Sequence, residues 1–275
     1  MSAAAVSSAA VGGAAAPRAD GHRAGLRHAV AAEWTKFWSV RSTAWTLAVT
    51  VVFVLGICAL ATDTGHELVI ADPTRRSLIG FFLGQLTVGV LGVLVMSAEY
   101  GTGLIRATLS ATPRRPIVLA AKTIVFGGVI LVVGEALAFG AFSLGQSLLS
   151  ATGRNHAALG DPNVVRAVVG GGLYLVVLGL LALGLATVVR HTAGAIATYA
   201  GVVLVLPIIV SALPTSLNDA ISRYLPASIG VTLLTTQPRI LDTPVFAPWA
   251  GFGILCGYTV AVLALGCVLL VRRDA

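Results

Sequence analysis

Charged residues are scarce in this chain. Asp, Glu, Lys and Arg make up 11% of its 275 residues, whereas soluble domains contain about 25%. Hydrophobic residues, by contrast, make up 57%. This composition excludes an ordinary soluble domain and predicts a protein embedded in a lipid bilayer.

Cysteines and catalytic motifs are equally sparse. The three cysteines, Cys58, Cys256 and Cys267, lie inside apolar runs without metal-ligand spacing, so we interpret them as small hydrophobic residues. The chain contains no G-x-x-x-x-G-K-[ST], H-E-x-x-H or G-x-S-x-G motif. We therefore expect no catalysis, cofactor or metal site on this chain. Its basic residues are not interleaved with aromatic residues, so nucleic-acid binding is not indicated.

The chain does contain six apolar runs, each long enough to cross a bilayer as a helix, which takes ~20 residues. Because lipid cannot satisfy backbone polar groups, such runs form helices. The sequence thus predicts an all-α polytopic membrane protein with six transmembrane helices in one domain, residues 29–275. We place the spans at 43–61, 78–98, 117–149, 165–189, 193–213 and 248–271.

Lys and Arg are divided unevenly between the two sides that these spans define. Twelve lie on the side of both termini and six on the other side. Cytoplasmic loops of membrane proteins carry the excess of Lys and Arg. Both termini and the loop between spans two and three are therefore predicted to be cytoplasmic, and the formal net charge of +7 is a topology signal.

Two different segments precede the first span. Residues 1–28 are rich in Ala, Gly and Ser and predict a disordered cytoplasmic tail; the alternative is a segment cleaved after Ala16. Residues 29–42 are amphipathic and rich in tryptophan, which favours an interfacial elbow helix over a simple extension of the first span. One helical face carries Val30, Trp34, Phe37 and Trp38, and Glu33, Lys36 and Ser39 lie elsewhere.

The stretch 96–122, between spans two and three, is rich in charge. Pro113 and Pro116 interrupt it, because proline lacks the backbone donor that a continuing helix needs. The segment 103–112 has room for one short helix, with an apolar face and Arg106 opposite. We expect this exposed helix to contact something outside the membrane.

Small residues and one proline predict details of helix packing. Three motifs, Gly80-x-x-x-Gly84, Ala197-x-x-x-Gly201 and Gly253-x-x-x-Gly257, allow close approach of helices, by default within one subunit and alternatively at a dimer seam. Pro207 predicts a kink in the fifth span. The spacing of apolar residues in 215–225 predicts a short surface or re-entrant helix.

Glu135 is the one carboxylate well inside an apolar run. An ionisable group there is costly and normally faces water or a polar partner. The functional interpretation is that Glu135 contacts substrate or protons on a translocation path that also includes Gln146. The structural alternative is a protonated side chain, or one hydrogen-bonded to another span near Gln146 or Gln85.

Several short segments between residues 30 and 275 point to one protein family when they are taken together. The segments within 99–122 are the most specific. The full set is Glu33-Trp34-Thr35-Lys36, Ser39-Val40-Arg41-Ser42, Glu99-Tyr100-Gly101-Thr102-Gly103-Leu104-Ile105-Arg106, Thr112-Pro113-Arg114-Arg115-Pro116, Ala121-Lys122, Gly145-Gln146, Arg190-His191-Thr192-Ala193-Gly194 and Tyr224-Leu225-Pro226. Together they resemble the membrane subunit, or permease, of a type-2 ATP-binding-cassette (ABC) transporter of the bacterial drug- and bacteriocin-export branch.

The resemblance implies a six-span permease in the bacterial cytoplasmic membrane. The permease works as a homodimer or heterodimer with two ATPase subunits, which hold ATP and Mg, and exports a small or amphipathic molecule such as a drug, an antibiotic or a peptide. Short re-entrant helices between spans five and six are also implied. By resemblance, the elbow residues are Glu33, Trp34, Lys36 and Arg41, and the ATPase-coupling residues are Glu99, Tyr100, Gly101, Thr102, Arg106, Arg114 and Arg115.

Two other functions are compatible with the sequence. One is an ion-coupled secondary transporter that uses Glu135 as its proton carrier. The other is a non-transporting membrane subunit that assembles with an ATPase.

Overall fold

The structure, a computed structural model, describes residues 25–63, 71–101, 115–237 and 245–272, and within these ranges it contains helices and no strands. Six helices are long and apolar enough to cross a membrane, which confirms the predicted all-α fold with six candidate spans. The helices are α1 Leu26–Ser39, α2 Arg41–Asp63, α3 Pro73–Ser77, α4 Phe81–Gly101, α5 Arg115–Ala151, α6 Val164–Val189, α7 Thr192–Ser211, α8 Thr215–Ser222, α9 Pro226–Leu234 and α10 Pro248–Arg272. The spans are α2, α4, α5, α6, α7 and α10.

The spans alternate in direction, so the bundle has two ends. The α1 end holds α1, the end of α4, the start of α5, the α6–α7 turn and the end of α10. There the Nη1 atom of Arg115 donates to the Leu270 carbonyl at 2.8 Å. The α3 end holds α3 and α9, and there the Nη1 atom of Arg154 donates to the Thr62 carbonyl at 3.0 Å. That the α1 end is cytoplasmic stays a prediction from the Lys and Arg count.

Helix α6 lies at the centre of the bundle, packed against α4, α5, α7, α9 and α10. In α6, 67% of the apolar stretch is buried, against 22% in α7 and 22% in α10. Glycines let α4 approach α6 closely, because a Cβ atom at Gly92 would collide with the Gly179 carbonyl. The exposed faces of the peripheral spans are apolar, which suits contact with lipid or with a second membrane helix.

Helix α5 is much longer than a bilayer is thick. Its 37 residues extend about 55 Å at 1.5 Å per residue, whereas the hydrocarbon core is about 30 Å. Extra turns therefore remain at its ends for contacts outside the hydrocarbon.

Helix α7 is irregular just before Pro207. Residues Gly201–Val205 form a π-helical turn, and α-helix resumes from Leu206. Proline cannot donate a backbone hydrogen bond and its ring crowds the preceding turn, and π-turns are among the breaks that accommodate such a residue. A π-turn thus lies next to Pro207, where the sequence predicts a kink.

The segment between α7 and α10 contains two short helices. Helix α8 has no buried residues, whereas α9 is largely buried against α6 and α10. A short helix predicted in 215–225 is confirmed as α8. The buried α9 follows directly, and its presence agrees with the pair of helices that the resemblance implies here.

The α1 helix begins at Leu26, within the predicted tail, while residues 1–24 lie outside the described residues. Its buried face is Ala29, Glu33 and Phe37, and Trp34 and Trp38 are half exposed. The predicted aromatic face is present, because the rings of Trp34 and Phe37 both contact that of Trp38. Its members differ in burial: Phe37 lies inward with Glu33, and the two tryptophans lie outward.

The three small-residue motifs differ in how closely their glycines are packed. Gly80 and Gly84 lie against Val54 of α2, so this motif packs two helices of one subunit, as expected by default. A Cβ atom at Gly253, Gly257 or Gly201 would meet nothing within 4 Å. Those glycines face open space on the described part of the bundle.

Gly92→Ala tests the close packing of α4 on α6. The added methyl group collides with the backbone of Gly179, and overpacking of this kind costs about 1–3 kcal/mol. We expect a lower temperature of thermal unfolding in detergent. The matched control is Gly257→Ala, another glycine in a span but with open space around it, which should leave the unfolding temperature unchanged or slightly raised. Equal unfolding temperatures for the two variants would contradict the packing.

Candidate functional site

Four charged side chains meet at the α1 end of the bundle. Lys122 Nζ of α5 lies 2.7 Å from Glu33 Oε2 of α1 and 2.8 Å from Glu99 Oε1 of α4. Lys36 Nζ lies 3.0 Å from Glu33 Oε1 and 2.9 Å from the same oxygen of Glu99. We call these four residues the ion cluster. It connects three helices through two carboxylates and two ammonium groups.

The ion cluster is mostly buried and formally neutral. The side chain of Lys122 is 2% exposed, and those of Glu33 and Glu99 are 8% and 7% exposed. A buried ammonium group is strongly destabilising unless it is paired and hydrogen-bonded. Because each carboxylate contacts both lysines, none of the four charges is left unpaired.

Lys36 is the most exposed member, with 45% of its side chain accessible. Burial lowers its pKa, but hydrogen bonds to Glu99 and Glu33 raise it more, so the net pKa lies above the usual 10.5. A raised lysine pKa means that the stabilisation is fully present below pH 10.5 and is lost as the pH rises through the higher folded-state value. Lys36 is thus charged across the physiological range.

The positions of these residues in their helices explain how they meet. Glu33 and Lys36 are three residues apart on α1 and so lie on neighbouring parts of its surface. Glu99 lies in the last turn of α4 and Lys122 about two turns into α5. The ion cluster therefore joins α1 to both helices that flank residues 102–114.

A second group of contacts fixes the end of α10 beside the ion cluster. Arg115 Nη1 donates to the Leu270 carbonyl at 2.8 Å, and Arg190 Nη2 donates to the Leu269 carbonyl at 3.1 Å. The guanidinium of Arg190 also lies over the ring of Tyr100, 5.5 Å from its centre. The last carbonyls of a helix lack intrahelical partners, and arginine side chains satisfy them here.

The residues predicted to couple to an ATPase are only partly described. Glu99 belongs to the ion cluster, Tyr100 stacks with Arg190, Gly101 ends α4 and Arg115 binds the end of α10. Thr102, Arg106 and Arg114, together with the predicted helix 103–112, lie outside the described residues.

The predicted elbow residues divide between the inside and the outside of the bundle. Glu33 is buried and Lys36 is partly exposed in the ion cluster. Trp34 is 51% exposed, and Arg41, the first residue of α2, is exposed. The sequence assigned Glu33 and Glu99 to separate functional segments, whereas the structure brings them to the same lysine.

Lys122 is the residue whose role the sequence analysis missed. The sequence places it in the charged stretch 96–122, although it lies two turns inside a long apolar helix. That position was the available signal, because a lysine among apolar residues needs carboxylates nearby, and Glu33 and Glu99 are the acids adjoining the neighbouring spans.

Glu135 has no hydrogen-bond partner among the described residues, although both of its carboxylate oxygens are buried. Its carboxyl group lies against Gly172 of α6, where a Cβ atom would come within 2.5 Å of it. Gln85 instead accepts a hydrogen bond from the Tyr174 hydroxyl at 2.6 Å. The predicted pairing of Glu135 with Gln85 or Gln146 is therefore wrong.

Gln146 holds the α3 end together. Its Nε2 atom donates to the Pro73 carbonyl at 3.1 Å and to Ser77 Oγ at 2.9 Å, and its Oε1 atom accepts from the Ala157 amide at 2.6 Å. Two of these bonds go to residues of α3, and the third goes to the segment that joins α5 to α6. They give Gln146 a structural role in positioning α3 against α5.

The part of the chain that the structure describes contains no grouping of three or more His, Cys, Asp or Glu side chains that could hold a metal ion. No protein-family model matches this chain, and a search of curated proteins found none that is significantly similar. The geometry of the ion cluster is thus the main guide to function.

Replacing Lys122 tests whether the ion cluster holds the helices together. Lys122→Met leaves the two buried carboxylates with Lys36 as the one remaining cation of the ion cluster. Breaking a buried ion pair in this way costs about 3–5 kcal/mol of folding stability. We expect a large fall in the temperature of thermal unfolding in detergent.

The matched control is Lys36→Met, which removes the same charge from the more exposed member and should lower the unfolding temperature less. An equal fall in the unfolding temperature for the two substitutions would show that the burial of Lys122 does not determine its contribution to stability. Restoration of stability by combining Lys122→Met with Glu99→Gln would identify the unpaired carboxylate as the cause.

Proposed function

We propose that this protein is the permease subunit of an ATP-driven exporter of the ABC type. The observation that carries the proposal is the ion cluster, which joins α1 to the ends of both helices that flank the charged connector 102–114. The sequence lacks a phosphate-binding loop, so ATP and Mg would be bound by a separate ATPase subunit. Sequence resemblance to type-2 permeases supports the same assignment.

The mechanism follows from how the connector is attached. A force applied by the ATPase to residues 102–114 reaches α4 and α5 directly, and reaches α1 through Glu33 and Lys36. Because one lysine contacts both Glu33 and Glu99, these three helix segments move as a unit. Tilting of this unit against α7 would switch access of the transported molecule between the two membrane faces.

The proposal places the α1 end in the bacterial cytoplasm, with both termini and the connector. Two copies of the permease, identical or different, would pair in the membrane and bind two ATPase subunits. The sparsely buried faces of α7 and α10 leave apolar surface available for a second membrane subunit. The transported molecule would be small or amphipathic, since the spans are lined mainly by apolar residues.

Charge reversal in the connector tests the proposal. The chain is co-expressed with an ATPase subunit whose sequence carries G-x-x-x-x-G-K-[ST], and ATP hydrolysis by the purified complex is measured in proteoliposomes. Arg106→Glu with Arg114→Glu should lower permease-dependent hydrolysis about tenfold, as expected when charges at an interface are reversed.

The matched control is Arg272→Glu with Arg273→Glu, which makes the same change in charge at the last residue of α10 and the residue after it, outside the connector. It should retain hydrolysis near that of the unaltered complex. Full activity of the connector variant, or transport that needs no ATPase, would rule out the proposed coupling.

Ion-coupled transport is a second candidate, favoured by the buried carboxyl group of Glu135 that lacks a partner among the described residues. Such a group in a span is suited to carry a proton. The test is efflux of the compound to which a deletion strain becomes sensitive. If the second candidate is correct, Glu135→Gln abolishes efflux, Glu135→Asp retains part of it, and loss of the ATPase has no effect. Efflux that survives Glu135→Gln and requires the ATPase selects the ABC exporter.

A further inference from the structure

A cavity of about 570 Å³ lies at the α3 end of the bundle, between α2, α3, α4, α6 and α9. Its volume falls within the range of pockets that hold drug-sized molecules. None of the four ion-cluster residues lines it. The cavity is therefore separate from the site proposed to couple with the ATPase.

The walls of this cavity are mostly apolar. Phe82, at its edge, is 53% exposed, so the cavity opens toward the outside of the bundle. Burial of an apolar chain against such walls is favourable by about 25 cal/mol for each Å² of apolar surface removed from water. The apolar lining includes Leu78, Phe81, Phe82, Leu83, Val231 and Leu234.

Arg75 of α3 is the charged residue among those described as lining the cavity. Its guanidinium forms no ion pair or hydrogen bond with any described residue. The neighbouring acid, Asp72, is already occupied: Oδ1 accepts from the Thr74 and Arg75 amides, and Oδ2 accepts from the amide and hydroxyl of Thr236. A positively charged residue that makes no ion pair with a described residue thus belongs to the wall of the cavity.

Gln85 adds a neutral polar group to the same wall. It is buried, and its Oε1 atom accepts from the Tyr174 hydroxyl at 2.6 Å. This bond fixes the side-chain amide and leaves its NH₂ group without a partner among the described residues. The NH₂ group donates hydrogen bonds only, so a ligand reaching it would present an acceptor.

We propose that this cavity binds a single-chain amphipathic anion, with its acidic group paired to Arg75 and its apolar chain along the phenylalanine- and leucine-lined walls. Arginine binds carboxylates and phosphates through a planar fork of donors. One apolar chain is suited to a cavity of this size. The inference concerns binding, so it can be tested independently of ATP-driven transport.

The test uses 11-(dansylamino)undecanoate, a fluorescent single-chain carboxylate, and the full chain in nanodiscs of zwitterionic phosphatidylcholine. Binding is followed by the rise in dansyl fluorescence. Arg75→Gln keeps a long polar side chain but removes the charge, and should weaken binding about tenfold, as expected for a charge-assisted hydrogen bond. The methyl ester of the probe, which has no charge, should bind the unaltered protein and Arg75→Gln equally.

Filling the cavity provides a second measurement. Ala227→Trp places a large side chain in the cavity wall and should abolish binding of both the acid and its ester. Val260→Trp, at an exposed position of α10, is the matched control and should leave both unchanged. Unfolding temperatures near that of the unaltered protein establish that the variants fold.

Three results would overturn the proposal. The first is equal binding of the acid and the ester to the unaltered protein. The second is unchanged affinity of Arg75→Gln for the acid. The third is loss of acid binding when phosphatidylglycerol replaces a fifth of the nanodisc lipid, because the anion would then be a two-chain lipid headgroup rather than a single-chain amphiphile.

Discussion

A lysine buried among apolar helices needs carboxylates beside it, and this requirement determines which helices meet at the α1 end of the bundle. Lys122 is 2% exposed and contacts Glu33 and Glu99 on two different helices. Separating α1 from α4 and α5 would leave a buried charge without its partner, at a cost of several kcal/mol. The ion cluster therefore acts as a three-way joint, and Lys36 completes its charge balance at the surface.

The two ends of the bundle are held by polar contacts, while its middle is held by close packing. At the α3 end, Asp72 binds Thr236, and Arg166 donates to the Leu233 and Thr235 carbonyls at 3.0 and 2.6 Å. Between the ends, apolar and small side chains dominate, and Gly92 allows α4 to rest on the α6 backbone. This division is expected in lipid, since helices there gain little from the hydrophobic effect and associate by close packing and hydrogen bonds.

The spans were predictable because length and hydropathy suffice to define them. The last span, predicted at 248–271, is observed at Pro248–Arg272. The second was predicted to begin at 78 but begins at Phe81, because Asp72 caps a separate short helix that starts at Pro73. That cap was visible in the sequence as an acid followed by proline.

The ion cluster was not predictable in the same way, because its members are far apart in the chain. Helical periodicity grouped Phe37 with the tryptophans of α1, and nothing in that segment alone shows that Glu33 faces inward. The deciding partner is Lys122, 89 residues away. For Glu135 the sequence suggests two glutamine partners, but Gln85 hydrogen-bonds to Tyr174 and Gln146 to residues of α3 instead.

The distribution of rigid and irregular elements bears on how such a bundle could change shape. The ion cluster binds α1, α4 and α5 together, and the glycine contact at Gly92 extends that unit to α6. In contrast, α7 is sparsely buried and contains the π-turn Gly201–Val205 ahead of Pro207, where the regular hydrogen-bond ladder is already broken. A rearrangement that keeps every buried charge paired would therefore move the α1–α4–α5–α6 unit as one body, with adjustment concentrated in α7.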